Sequence, residues 1–233
     1  MEETIIRPIA RYYGDLGEKF GVPRQAGVVE ELEGCVVFEP AYRDPEALRG
    51  MEGFDRLWLI WQFSENLRAG EDWSPTVRPP RLGGNTRMGV FATRSPFRPN
   101  ALGLSCVRLL GIEQDRERGT VLRVGGADLM NGTPIFDIKP YIPYADAHPE
   151  ARSGFAPDAG ERLTVEFPPA LEALVPPEKR AALRGVLQND PRPRYQRDPE
   201  RVYGLQFAGQ NIKFTVDGDR LTVRDVETGN GEK

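Results

Sequence analysis

LGLSCVRLLGIEQDRERGTVLRV, residues 102–124, decides the fold: an extended apolar run, a charged break and a shorter apolar run that returns. Residues 102–112 read as a long strand, DRERG as a hairpin connection and 120–124 as the partner strand. Downstream come Gly125-Gly126, an Asn-Gly turn signal within ADLMNGTP, and the strand-like IFDIKPYIPY. Upstream, DRLWLIWQF at 55–63 is nearly apolar throughout and is expected to be a central strand buried on both faces. Further strands are expected at 88–93, at 34–39 and at 4–10, where Pro8 limits pairing, with a loop over 12–25. A brief helix at 45–49 has Asp44 as cap, Pro45 in the first turn and Gly50 to close it. Six or more strands without βαβ spacing imply a mainly β chain whose first part, 1–144, is a closed or nearly closed β-barrel.

Residues 145–160 are polar and rich in Gly and Pro, marking a linker. Beyond it, ERLTVEF is a strand. Helices follow at 170–175 and 177–189, separated by the Pro176-Pro177 break. VYGLQFA, IKFTV and RLTVRDV are three more strands, the last two joined by a Val-Asp-Gly-Asp hairpin. Residues 161–233 are therefore expected to form a smaller α+β domain.

The 233 residues carry a net charge of -4, with 25 Gly and 21 Pro, values that favour a loop-rich β architecture. The first residues, MEETIIRP, lack the basic and apolar regions of a secretory signal, and no apolar run is long enough to span a bilayer, so a cytoplasmic location is expected. Cys35 and Cys106 sit in apolar, strand-like surroundings and read as reduced core thiols. The single histidine, His148, leaves neither a zinc cluster nor a Cys/His catalytic pair attractive, so no metal is expected.

Against this acidic background, residues 73–112 contain no acid, and 76–104 (TVRPPRLGGNTRMGVFATRSPFRPNALGL) hold five arginines: Arg78, Arg81, Arg87, Arg94 and Arg98. Guanidinium forks among glycines and prolines suit a stiff loop that grips phosphate or carboxylate, although an ordinary solvated loop has the same composition. GVFATRSPFRPNALG delivers Arg94 and Ser95 at a strand end, where Pro96 and Pro99 fix how Arg98 and Asn100 project. VPRQAG at 22–27 joins a proline turn to an amide side chain and a glycine. DLMNGTPIFDIKPY places Asp128 and Asp137 beside a turn and Lys139. Such carboxylates stabilise a cation or accept a proton; alternatively Asp128 caps the turn and Asp137 only pairs with Lys139.

RPPRLGGNTRMGVFATRSPFRPNALG, DLMNGTPIFDIKPY and VPRQAG together closely resemble the TrmO (TsaA-like) family of S-adenosylmethionine-dependent tRNA methyltransferases. The resemblance covers most of 1–144 and continues more weakly through QNDPRPRYQ and the last strands. It implies a non-Rossmann β-barrel that binds S-adenosylmethionine, a smaller C-terminal domain and a homodimer. The implied reaction is methylation of the exocyclic N6 nitrogen of threonylcarbamoyladenosine, beside the anticodon of threonine tRNA. The absence of a GxGxxG motif after an early strand agrees with a non-Rossmann site.

Carried over by position, the cofactor contacts are Gln25, Ala26 and Gly27, then Arg94, Leu104 and the turn Gly125, Gly126, Ala127 and Asp128. Ser64 and Glu65 stand where family members often have His-Gln, so contact there is expected through backbone rather than side chains. The catalytic candidates are Asp128 or Asp137 as proton acceptor and Asn100, with Ser95, as orienter of the base. Arg78, Arg81, Arg87 and Arg98 are expected on RNA phosphates, with Lys139, Arg192, Arg194 and Arg197 assisting. Two other functions fit the same residues: a non-catalytic RNA-binding or S-adenosylmethionine-responsive module, and an enzyme acting on small phosphate esters.

Overall fold

The computed structural model describes residues 4–64, 73–83, 85–158, 160–192 and 198–228. Its elements in chain order begin with strands β1 (Ala10–Gly14), β2 (Glu33–Phe38), β3 (Arg56–Gln62), β4 (Thr76–Val77) and β5 (Met88–Gly89). They continue with β6 (Leu102–Asp115), β7 (Gly119–Gly125), β8 (Pro134–Pro140) and helix α1 (Pro143–Asp146). The remainder is β9 (Thr164–Glu166), α2 (Pro169–Glu172), α3 (Pro177–Gln188), β10 (Tyr203–Phe207), β11 (Gln210–Asp217) and β12 (Arg220–Thr228).

Six strands pair antiparallel in the order β1-β2-β7-β6-β3-β8, and β8 returns to β1 through Ala10↔Ile135 and Arg11↔Pro134, so the sheet closes on itself as a barrel. The long β6–β7 hairpin turns at Gly119, whose φ of 74° lies in the left-handed region that glycine enters without strain. The second sheet has the order β10-β11-β12-β9, with β9 parallel to β12.

Three local expectations are corrected. The first strand is β1, not 4–10, because Pro8 has no amide to donate and only ARYYG places alternate side chains, Ala10 and Tyr12, in the core; Ile5 and Ile6 are exposed. The strand expected at 88–93 ends after Gly89, and Val90–Ala92 form a 3-10 turn closed by the Thr93 amide on the Val90 carbonyl at 3.1 Å. β3 is central, between β6 and β8, but it is not buried on both faces. Leu57, Leu59 and Trp61 point into the barrel, whereas Trp58 and Ile60 are half-buried outside, where Trp58 Nε1 donates to Asp146 Oδ2 at 3.1 Å.

Two hydrophobic clusters result. One fills the barrel with residues such as Tyr12, Val36, Leu59, Leu122 and Ile135. The other lies between α3 and the second sheet, and it takes in Leu16, Val29 and Leu32 from the segment that joins β1 to β2. That segment leaves the barrel, crosses the second core and returns. Lys179 on α3 pairs with Asp15 at 2.7 Å, and the Ala208 amide donates to the Asp15 carbonyl at 2.9 Å.

Gly21 shows how closely this crossing is fitted. Its φ is 95°, and a Cβ there would lie 2.2 Å from Leu205 Cδ1. Gly21→Ala combines left-handed strain with overpacking and is expected to cost about 2 kcal/mol. Thermal unfolding should show a midpoint lowered by several degrees; an unchanged midpoint would mean that the segment is not packed in this way.

Candidate functional site

The ends of β3 and β6, the turn before β8 and the loops beside them line a cleft of about 2310 Å³, together with residues 160–163, 189–192 and 216–219 of the C-terminal part. Strand ends at a barrel rim are where loops can present polar groups without opening the core.

Among the walls of the cleft is the half-buried Asp128. The turn that carries it is shaped by Gly126, with φ 74°, where a Cβ would lie 3.4 Å from the Gly27 Cα. The Gly27 amide donates to the Gly126 carbonyl at 2.8 Å, and the Gly126 amide donates to the Leu32 carbonyl at 2.7 Å. These bonds press the 22–32 segment against the 125–128 turn, and the Ala26 amide thereby reaches Asp128. Burial pushes the Asp128 carboxyl above its ordinary pKa. The Ser105 hydroxyl, the amides of Ala26 and Asp128 itself, and the Arg94 charge hold that rise back.

Ser105 is buried on β6, where its hydroxyl donates to Asp128 Oδ1 and accepts from Trp61 Nε1 at 2.9 Å. Neither Ser105 nor Trp61 is among the sequence-derived site residues. The available signal is a small polar side chain at an inward position of β6, two residues from the inward Val107.

Arg94 follows the 3-10 turn and donates through Nη1 to Gln25 Oε1, joining the arginine loop to the VPRQAG segment. Its loop is stitched by side chains: the Ser95 amide donates to Thr93 Oγ1 at 3.2 Å, and the Phe97 amide to Ser95 Oγ at 3.2 Å. Leu104 is 57% exposed and lines the cleft, as does Ser64; Glu65 lies outside the described residues. The Phe63 amide, just before Ser64, is taken by the Ala101 carbonyl at 2.9 Å.

Arg78, Arg81, Arg87, Arg98 and Arg192 all face the same cleft, but they are not equivalent. Arg78 and Arg87 are exposed. Arg98 donates to the Thr93 carbonyl at 3.3 Å. Arg81 is tied to Asp158 at 2.5 Å, and the Arg192 side chain, 10% exposed, is tied to Asp190 at 2.8 Å, so their charges are already met within the chain. Arg194 and Arg197 lie outside the described residues.

Asp137, Lys139 and Asn100 stand apart from the cleft walls, and of the expected donor contacts Ala26, Gly27, Gly125, Gly126 and Ala127 are likewise not among the residues that line it. Asp137 and Lys139 pair with each other at 3.0 Å on β8, and the Ile138 amide donates to Asp137 Oδ1 at 2.9 Å. Asn100 is exposed, with its carbonyl taken by the Leu102 amide at 2.7 Å. The alternative reading of Asp137, a partner for Lys139, is therefore the one its surroundings favour.

Among the described residues no group of three or more His, Cys, Asp and Glu side chains could hold a metal ion. Both cysteines are free thiols, and burial is the largest influence that pushes each above its ordinary pKa.

Residues 13–147 match the tRNA-methyltransferase O N-terminal domain, and 160–229 match the TrmO C-terminal domain. A tRNA (adenine(37)-N6)-methyltransferase of Escherichia coli is 41% identical over 208 residues, 85% of this chain and 87% of that protein. One of the same name from Eikenella corrodens is 47% identical over 174 residues, 74% of this chain and 97% of that one. The crystal structure of TrmO from Pseudomonas aeruginosa superposes with a TM-score of 0.77 at 31% identity, covering 97% of this chain and 98% of that one. With both family models matched in order and most of the chain accounted for, this protein belongs to the TrmO family.

Proposed function

We propose that this protein methylates tRNA, transferring a methyl group from S-adenosylmethionine to the N6 nitrogen of threonylcarbamoyladenosine at position 37, beside the anticodon of threonine tRNA. The observation that carries the reading is the cleft itself, in which a half-buried carboxylate, Asp128, shares one cavity with an arginine-lined wall.

The residues present fit the donor. Nothing lies within 4 Å of where a Gly27 side chain would begin, so a ligand can approach the backbone there. Asp128 matches the cationic groups of the donor, Arg94 and Gln25 its carboxylate, and the exposed Leu104 its apolar surface. Gly125 and Ala127 complete the turn that sets Asp128, and Ser64 borders the same cavity. When bound, S-adenosylmethionine supplies an electrophilic methyl group on a sulfonium.

The remaining work falls to the chain. The attacking nitrogen is a weak nucleophile, because its lone pair is delocalised into the base and the neighbouring carbonyl. A positioned proton acceptor therefore helps, and Asp128, raised in basicity by burial, fills that role. The cleft walls align the reactants, which is the larger contribution to rate. The anticodon loop is single-stranded, so its base can enter the cleft without melting a duplex, while Arg78, Arg87 and Arg98 hold phosphates.

The barrel, 1–144, is the donor-binding domain in this reading, and 161–233 closes the cleft over the RNA. The enzyme works in the cytoplasm as a homodimer, for which exposed side chains such as Phe91 and Tyr144 offer apolar surface. Among the described residues no helix is long and apolar enough to cross a membrane.

The test is radiolabelled methyl incorporation into tRNA from a strain lacking this modification enzyme. Label should appear at N6 of the modified adenosine at position 37. Donor binding without incorporation would leave the non-catalytic alternative.

A further inference from the structure

Asp128 alone does not account for the way its surroundings are built. The indole of Trp61 is a donor only, and a serine hydroxyl has one proton. Because Trp61 Nε1 donates to Ser105 Oγ at 2.9 Å, the Ser105 proton is left for Asp128 Oδ1, which lies within hydrogen-bond distance. The direction of the relay is thus fixed: indole to hydroxyl to carboxylate.

The relay is held from both sides. Gly103 faces Trp61 across the β3–β6 pair, and a Cβ there would lie 2.3 Å from the indole, so only glycine lets the ring lie over that strand. Phe63 closes the other side, edge-on at 4.3 Å between ring centroids. Trp61 is 6% and Ser105 2% exposed, so water does not compete for either hydrogen bond.

We propose that Trp61 and Ser105 are positioning residues for methyl transfer, which hold the Asp128 side chain in one orientation and favour its ionised form. This rests on Asp128 as the proton acceptor. The other groups that act on the carboxylate are the Ala26 amide from the 22–32 segment, Arg94 from the arginine loop and the buried Tyr12 phenol of β1. The Ala26 amide and Arg94 favour the ionised form from the two loops, whereas Ser105 acts from inside the barrel.

The measurement is kcat for methyl transfer against pH. In Ser105→Ala the acidic limb should move up by about one pH unit, the size expected for one hydrogen bond to a charged acceptor. The rate at neutral pH should fall several-fold, and Ser105→Thr should bring the limb back. Trp61→Phe, which removes the indole donor, should move the limb in the same direction by less. Donor affinity, measured by titration calorimetry on each variant, confirms that the protein measured is folded.

Combined with Asp128→Asn, the Ser105→Ala change should cost nothing further. A limb that does not move, or a loss as large in the Asp128→Asn background as in the unsubstituted protein, would overturn the relay while leaving the methyltransferase reading intact. Full activity in Asp128→Asn would overturn the proton acceptor and the relay together, and the incorporation assay would still report whether the protein is a methyltransferase.

Discussion

Asp128→Asn is expected to lower kcat for methyl transfer by roughly 10²- to 10³-fold, the range of a lost proton acceptor, while leaving the protein at least as stable as before. The two halves of that result have one cause. Burial raises the carboxyl pKa in the folded chain, so between the unfolded and the folded pKa the native state binds more protons and stability falls as pH rises. At neutral pH the ionised group therefore costs stability, and an amide of the same shape removes the cost while still accepting from Ser105. Activity in the unsubstituted protein should rise with pH through that raised pKa and level off above it. Kinetics with thermal unfolding on the same samples checks both halves. A variant that lost stability and activity together would make Asp128 a structural residue.

The second large effect concerns RNA. Replacing Arg78 and Arg87 together by alanine should raise KM for tRNA roughly ten-fold or more at physiological salt, with kcat little changed. It should also lower the slope of log affinity against log salt by about 1.4, from two contacts at roughly 0.7 each on single-stranded RNA. Arg81→Ala should do much less, because its guanidinium is already committed to Asp158. Filter binding over a salt series measures the affinities and the slope, and steady-state kinetics the KM and kcat. An unchanged slope in the double variant, or a larger effect at Arg81, would mean that the RNA lies elsewhere.

The contrast between these arginines marks what the sequence carries and what it does not. An acid-free run of five arginines is visible in the letters, but Asp158, the partner of Arg81, stands 77 residues away and only folding brings the two together. Arg192 has its partner two residues off, and even there the burial that makes the pairing tight is a tertiary property. From the letters alone Asp128 reads equally as a turn cap or a proton acceptor, and it is the family resemblance that points it toward the donor. Ser105 was not legible, since a serine in a strand looks solvent-facing until the inward register of β6 is known.

The fold divides in a similar way. Hairpins such as β6–β7 and β11–β12 are written locally, in turn residues between apolar runs, and their positions follow the letters to within a few residues. The strand placed at 4–10 failed because Ile5 and Ile6 are exposed and only its last residues, Ile9 and Ala10, reach the barrel, from where the strand runs on through Tyr12. Nothing local tells that Leu16, Val29 and Leu32 belong to the second core rather than the first. That crossing has a functional side, because the same segment carries Gln25 to the cleft and brings the Ala26 amide to Asp128 and the Gly27 amide to Gly126. The C-terminal unit thus supports one wall of the site from behind.

A crystal structure with S-adenosylmethionine bound decides whether this cleft is the donor site. The sulfonium should lie in the cleft beside Asp128, with the donor carboxylate toward Arg94 and Gln25 and the backbone of Gly27 in contact. A donor bound far from Asp128 and Arg94 would contradict the site, even with membership of the TrmO family intact.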